Sequence, residues 1–163
     1  MKIVLILAVF CIGFTLSFAQ DANMATWKLN EAKSKLSSRA PKNTTVIYEA
    51  AGDNVKVTVD GVDPDGKPIH HQWIGKFDGK DYPVIGDPNE VSRSYTKIDD
   101  HTLGLNIRRR GNATASGRIV VAPDGKSRTV TMTGTDPTGK TFQSITLYDK
   151  QLAFCEYREP LWC

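Results

Sequence analysis

The sequence has few of the residues that build a large hydrophobic core, and it has no marked excess of charge. Its 163 residues are 40% apolar, and 21 Lys+Arg stand against 18 Asp+Glu, which gives a net charge of +3 at pH 7. A protein that binds nucleic acid by neutralising phosphates needs a larger basic excess, so we expect no nucleic-acid partner. The length is that of one domain.

Sequence motifs for catalysis, phosphate binding and metal binding are also missing. The chain has no GxSxG nucleophile elbow, and its glycines fall in turns rather than at helix N-termini. The segment DPDG at 63–66 lacks the remaining ligands of a calcium loop. The cysteines have no neighbouring ligands at the spacing of a zinc site. We therefore expect a protein that is not an enzyme and that holds neither a cofactor nor a metal ion.

The one long apolar run lies at the N-terminus. Lys2 precedes a mostly apolar segment over 3–16, and the segment SFA at 17–19 supplies the small residues that signal peptidase requires. We expect residues 1–19 to be a signal peptide, cleaved before Gln20, and the mature protein to be secreted or periplasmic. The alternative is a membrane anchor, but the run is short for a span and no basic stop-transfer cluster follows.

Cleavage at this position changes the cysteine count. It removes Cys11 and leaves Cys155 and Cys163 in a C-terminal tail over 152–163. In an exported chain such a pair forms a disulfide or stays as two free thiols, and we favour the disulfide. Because the loop between the two cysteines is short, the bridge would hold the tail and not the domain.

From Thr44 onward apolar residues alternate with polar ones, which is typical of half-buried strands. Segments 55–59 and 103–107 show the alternation, and turn sequences rich in Asp, Pro and Gly separate such segments. The pattern predicts ten strands, over 25–30, 44–50, 54–62, 68–77, 82–86, 92–98, 102–109, 113–122, 127–135 and 141–150.

Short strands joined by tight turns predict an antiparallel meander. Closing a meander removes its exposed edges, so we predict an all-β, antiparallel up-and-down barrel of eight to ten strands over residues 20–151. One short helix is predicted directly after the first strand, from Glu31 to Leu36. We expect a monomer with no membrane span after signal cleavage.

The segment ATWKL at 25–29, followed by a short helix and a meander, resembles the calycins, which include the lipocalins and the cytoplasmic fatty-acid-binding proteins. The resemblance implies a lipocalin-like ligand-binding barrel in which Trp27 packs across the floor against a late basic side chain, for which Lys150 and Arg158 are the candidates. More closely, the chain is similar to small exported bacterial proteins of unassigned activity, through segments at 26–30, 48–53, 78–84 and 134–140.

The last predicted strand resembles the closing strand of the fatty-acid-binding proteins. In that family an Arg two residues before the final-strand Tyr helps to bind the ligand carboxylate. Here Tyr148 takes the Tyr position, but Thr146 replaces the Arg, which weakens the fatty-acid interpretation. Tyr48 and Tyr95, on earlier predicted strands, add hydroxyl groups to the interior.

Three further side chains are candidates for contact with a ligand. His71 and Trp73 share one face of a predicted strand, and Arg109 lies in phase with the apolar residues of its strand. The alternatives are a hydrogen bond within the core for His71 and a solvated hairpin end for Arg109.

Two functions are consistent with these patterns. The first is a secreted or periplasmic protein that binds a small hydrophobic ligand inside its barrel. The second is a structural or interaction protein whose barrel is filled by its own side chains and binds no ligand. The free volume inside the barrel distinguishes the two.

Overall fold

The structure is a computed structural model, and it describes residues 21–37, 40–136 and 138–152. Three of the predicted features lie outside the described residues, namely the signal peptide, Arg158 and the pair Cys155 and Cys163. Signal cleavage and the disulfide therefore stay as predictions.

Ten strands and one short 3-10 helix make up the described chain, and the strands lie where the alternation predicts them. The helix spans Glu31–Lys33. The strands are β1 (Thr26–Leu29), β2 (Lys42–Ala51), β3 (Asn54–Val62), β4 (Pro68–Gly75), β5 (Tyr82–Ile85), β6 (Val91–Lys97), β7 (Thr102–Arg109), β8 (Asn112–Val121), β9 (Ser127–Thr135) and β10 (Thr141–Gln151).

The strands form a closed antiparallel up-and-down barrel, as predicted. Each strand pairs with its neighbours in the sequence, and β1 closes the sheet by pairing with both β2 and β10. Turns at one end of the barrel join β2 to β3 and β8 to β9; we call this end, where β1 begins, the floor end. The turns that join β3 to β4 and β9 to β10 lie at the opposite end, which we call the mouth end.

The helix after β1 is shorter than the predicted span from Glu31 to Leu36. The Asn30 side chain caps its start by accepting a hydrogen bond from the Lys33 backbone N–H at 3.2 Å. The chain then turns to extended backbone, because Lys35 exchanges two backbone hydrogen bonds with Ile145 of β10, at 2.7 and 3.0 Å. This long-range pairing ends the helix early.

Buried apolar side chains from nine of the ten strands fill the barrel, and β9 is the exception. Its fully buried inward residue is Arg128, which is only 2% exposed. Val130 and Met132 of the same strand are partly buried and pack against the core. A cation therefore occupies a place that an apolar side chain takes in the other strands.

Gly117 of β8 allows close contact between two strands. A Cβ at this position would meet the carbonyl oxygen of Thr131 and the Met132 Sδ atom, which lies 2.5 Å away. No larger residue fits there without movement of the β9 backbone. Gly117 thus brings β8 and β9 together and does not leave free space inside the barrel.

Candidate functional site

Trp27 lies near the floor end and is completely buried. Its indole Nε1 donates a hydrogen bond of 2.9 Å to the backbone carbonyl of Asn23, so its one polar group is satisfied. Of the two basic partners expected from sequence, Lys150 lies with its Nζ 5.9 Å from the ring centre, and Arg158 is outside the described residues. Arg128 is closer, at 4.9 Å, and was not expected.

The Arg128 guanidinium is surrounded by three aromatic rings. Its central carbon lies 4.9, 4.9 and 5.0 Å from the ring centres of Trp27, Tyr48 and Tyr148. A guanidinium does not lose its proton in proteins, so this site holds a permanent positive charge. Each desolvated cation–π contact stabilises such a charge by roughly 2 kcal/mol.

The surrounding rings leave two of the three guanidinium nitrogens of Arg128 without an acceptor in the described chain. Its Nε and Nη1 atoms are buried and donate no hydrogen bond to any described residue. Arg93 of β6 is similar, because its Nε is also buried and has no acceptor among the described residues. Buried donors of this kind cost free energy unless a ligand or water satisfies them.

Trp73 fills the floor half of the barrel. It is completely buried, and its Nε1 donates to the backbone carbonyl of Arg93 at 2.9 Å. Its ring lies 4.7 Å from that of Tyr95 in a T-shaped arrangement and 6.3 Å from that of Phe77 in a stacked one. This aromatic cluster leaves Trp73 no free surface for a ligand.

A cavity of about 90 Å³ lies beside the aromatic cluster and Arg128. The tyrosines Tyr48, Tyr95 and Tyr148 line it, together with Arg93 and Arg128. The other lining residues are mostly apolar: Asn43, Val46, Val59, Leu105, Ile107, Ile119, Val130 and Met132. No carboxylate is among these residues.

Two of the cavity's phenols, those of Tyr48 and Tyr148, are kept in their neutral form by burial. Burial raises the pKa of Tyr148 to about 12, although the charge of Arg128 acts in the opposite direction. Burial also raises the pKa of Tyr48, and Tyr95 adds to this effect. The Tyr148 hydroxyl donates to the backbone carbonyl of Asn43 at 3.2 Å.

His71 faces inward from β4 but does not line the cavity. It pairs in register with Val59 and is half-buried, and its Nδ1 is buried without a hydrogen-bond partner among the described residues. Burial lowers the pKa of His71, and the carboxylate of Asp87 opposes this effect. The adjacent His70 is exposed on the outer face, with its Nδ1 2.6 Å from an Asp60 carboxylate oxygen.

Arg109 lies at the mouth end, where it pairs in register with Val91. It is half-exposed and makes no ion pair with a described residue, whereas the neighbouring Arg108 has its Nε 3.0 Å from an Asp81 oxygen. The structure therefore groups Tyr48 and Tyr148 with Trp27 around Arg128. It does not bring His71, Trp73 or Arg109 to the cavity wall.

Arg93 and Arg128 were not among the expected site residues, although the sequence contains a signal for both. Arg128 is in phase with Val130 and Met132, and Arg93 is in phase with Val91 and Tyr95. A charged residue at an apolar position of an alternating strand points into the core. Arg109 was a candidate ligand contact for the same reason, but it lies at the end of β7, where its side chain reaches solvent.

A second concavity, of about 750 Å³, lies over β8, β9 and β10 towards the mouth end. Its lining is uncharged, with Asn106, Ser116, Thr133 and Gln143 among the polar residues and Phe142 as the one aromatic. The concavity is wide and open. Among the described residues, no buried donor without a partner lines it, so the smaller cavity is the better candidate site.

No protein-family model matches this chain, and no curated protein is significantly similar to it. Within the described ranges, no helix is both long and apolar enough to cross a membrane. In the same ranges, no three His, Cys, Asp or Glu side chains are grouped so that they could hold a metal ion.

Proposed function

We propose that this protein is an exported binding protein that holds a small molecule inside its barrel. The observation that carries the proposal is the cavity of about 90 Å³ with apolar walls, three tyrosines and two arginines. A mostly apolar cavity with a few convergent polar groups is the usual form of a small-molecule site.

The size of the cavity restricts the ligand. Sites for drug-sized molecules have volumes of roughly 300–1,000 Å³, several times that of this cavity. The proposed ligand is therefore compact, with an apolar part against residues such as Val59 and Ile119 and a polar part against the tyrosines.

The proposed location is outside the cytoplasm, and it depends on the sequence of residues 1–19. Expression of the full chain in a bacterial host tests it. We expect the intact mass of the exported protein to match a chain that begins at Gln20. We also expect this mass to be two hydrogen masses lower than that of the reduced chain, because the proposed disulfide joins Cys155 and Cys163. A full-length cytoplasmic product would contradict export.

A cavity-filling variant tests binding. Native mass spectrometry of the mildly extracted protein should show a bound small mass, and thermal unfolding should shift upward with small organic molecules. Val130→Phe, in the cavity wall, should abolish both signals. Val120→Phe is the matched control, because Val120 lies on the outer face and is 42% exposed. No bound mass and no thermal shift with a folded wild-type protein would overturn the proposal.

The packing of the floor half favours a second function. Trp73, Phe77, Tyr82 and Tyr95 fill this half with aromatic contacts between 4.7 and 6.3 Å. A barrel filled in this way can act through its outer surface, as a structural or interaction protein without a ligand. This function predicts that Val130→Phe raises the free energy of unfolding by filling the cavity and changes no binding property.

A further inference from the structure

We infer that the interior site takes a compact carboxylate, held by Arg93 and Arg128, and not a long-chain fatty acid. This inference rests on the proposed function, because it names the chemistry of the ligand for the same cavity. It is carried by the two guanidiniums, the absence of a counter-charge in the cavity wall and the small volume.

Buried hydrogen-bond donors without acceptors in the described part of the chain border the cavity. Arg128 is 2% exposed, and two of its nitrogens are buried without an acceptor among the described residues. The Nε of Arg93 is in the same state, and both side chains line the same cavity. Guanidinium groups donate hydrogen bonds and accept none, so only an acceptor can satisfy them.

The charge around the cavity is positive and has no counter-charge among the described residues of the wall. Two permanent positive charges border a cavity whose lining contains no Asp or Glu. Cation–π contacts with Trp27, Tyr48 and Tyr148 stabilise Arg128, but no aromatic ring contact of this kind occurs for Arg93 within the described residues. Arg93 is only partly buried as a residue, but its Nε is buried without an acceptor among the described residues. A charge whose donors are buried is stable when it is paired and hydrogen-bonded. An anion in the cavity supplies both the opposite charge and the acceptors.

Among anions, a carboxylate fits the groups that line the cavity best. A carboxylate accepts two parallel hydrogen bonds from a guanidinium, and a tyrosine hydroxyl in the cavity wall can donate to it as well. The rest of the wall is apolar, with Leu105, Ile107 and Val130, and suits a short hydrocarbon group more than a hydrated ion. The volume of about 90 Å³ holds such a group but not an acyl chain of a fatty acid.

The experiment compares four ligands on the wild-type mature protein by isothermal titration calorimetry and by chemical-shift changes near neutral pH. The ligands are propionate, its neutral analogue propionamide, chloride and laurate. We expect propionate to bind more tightly than propionamide by about ten-fold or more, because the charge-assisted hydrogen bonds are lost in the amide. We also expect propionate to bind more tightly than chloride. Laurate should bind more weakly than propionate.

Variants then assign the binding to Arg93. Arg93→Met should lower propionate affinity about ten-fold or more and leave propionamide affinity within about two-fold. Arg93→Lys keeps the charge, and its affinity should lie between those of wild type and Arg93→Met. Arg118→Met is the matched control, because Arg118 is exposed on the outer face of β8 and its replacement should change neither affinity.

The outcomes separate this inference from the proposed function. Equal binding of propionate and propionamide would overturn the carboxylate but would retain a small-molecule site. Tighter binding of chloride or laurate than of propionate would overturn the compact carboxylate in the same way. Binding of none of the four ligands by a folded protein that also shows no bound mass would overturn both. The ligand comparison needs no variant, so it decides even if Arg93→Met does not fold.

Discussion

The guanidinium of Arg128 lies 4.9 Å from the centre of the Trp27 indole ring, although β9 and β1 are separated by β10 in the closed sheet. The contact therefore passes over the inner face of β10 and links the first strand of the barrel to its last but one. Tyr48 and Tyr148 enclose the same guanidinium from β2 and β10. Side chains from β1 and β10, the strands that close the barrel, therefore lie around a guanidinium that lines the cavity.

Replacement of Arg128 by Lys should destabilise the protein. A lysine keeps the charge but has a compact, strongly hydrated ammonium that cannot lie flat against three rings. We expect Arg128→Lys to lower the free energy of unfolding by about 1–3 kcal/mol, which urea denaturation measures. Arg118→Lys, on the exposed face of β8, should change it by less than about 0.5 kcal/mol. Equal effects of the two substitutions would contradict a specific role for the three rings around Arg128.

Tyr148 should make the fold sensitive to alkaline pH. Its pKa is about 12 in the folded state, while an unfolded tyrosine has a pKa near 10. Between these values the unfolded state loses the proton and the folded state keeps it, so stability falls as pH rises. We expect a loss on the order of 2 kcal/mol between pH 10 and pH 12.

The variant Tyr148→Phe tests this dependence. It removes the hydroxyl and its 3.2 Å hydrogen bond to the Asn43 carbonyl, so it should cost about 1 kcal/mol at pH 7. Its stability should then fall less steeply than that of wild type between pH 10 and pH 12. Identical slopes for the two proteins in urea titrations at these pH values would refute the assignment to Tyr148.

His71 should make the fold sensitive to acid pH. Burial lowers its pKa below the ordinary histidine value near 6.5, so the folded state resists protonation. As pH falls below about 6.5, the unfolded state takes up a proton that the folded state does not, and stability is lost. His71→Asn should lose less stability than wild type between pH 7 and pH 5. NMR titration of the His71 imidazole gives a direct check, and a pKa above 6.5 would show the prediction to be wrong.

Gly117 should tolerate no side chain. A Cβ at this position meets the backbone carbonyl of Thr131 as well as Met132, so Gly117→Ala must displace β9. We expect a loss of about 1–3 kcal/mol in the free energy of unfolding. Gly104→Ala is the control, because the nearest atom to its Cβ would be Ile98 Cδ1 at 3.6 Å, an ordinary contact. Calorimetric unfolding of both variants distinguishes them, and equal unfolding temperatures would contradict the close approach of β8 and β9.

The strands and their order could be predicted from the sequence because both depend on local signals. Alternation over segments such as 55–59 reports which residues face inward, and the turns report where each strand ends. The helix was predicted three residues too long because its end depends on Lys35 pairing with Ile145, more than one hundred residues away. A short-range pattern does not contain that partner.

The sequence by itself determined the fold class, the inward position of Tyr48 and Tyr148, and the phase of Arg93 and Arg128. The tertiary structure decided which inward residues share a cavity, because the wall is formed by strands distant in sequence. It placed Arg128 against three rings and buried Trp73 in the floor. The physical reason is that alternation follows from the geometry of one strand, whereas a cavity is the volume that side chains of many strands leave unfilled.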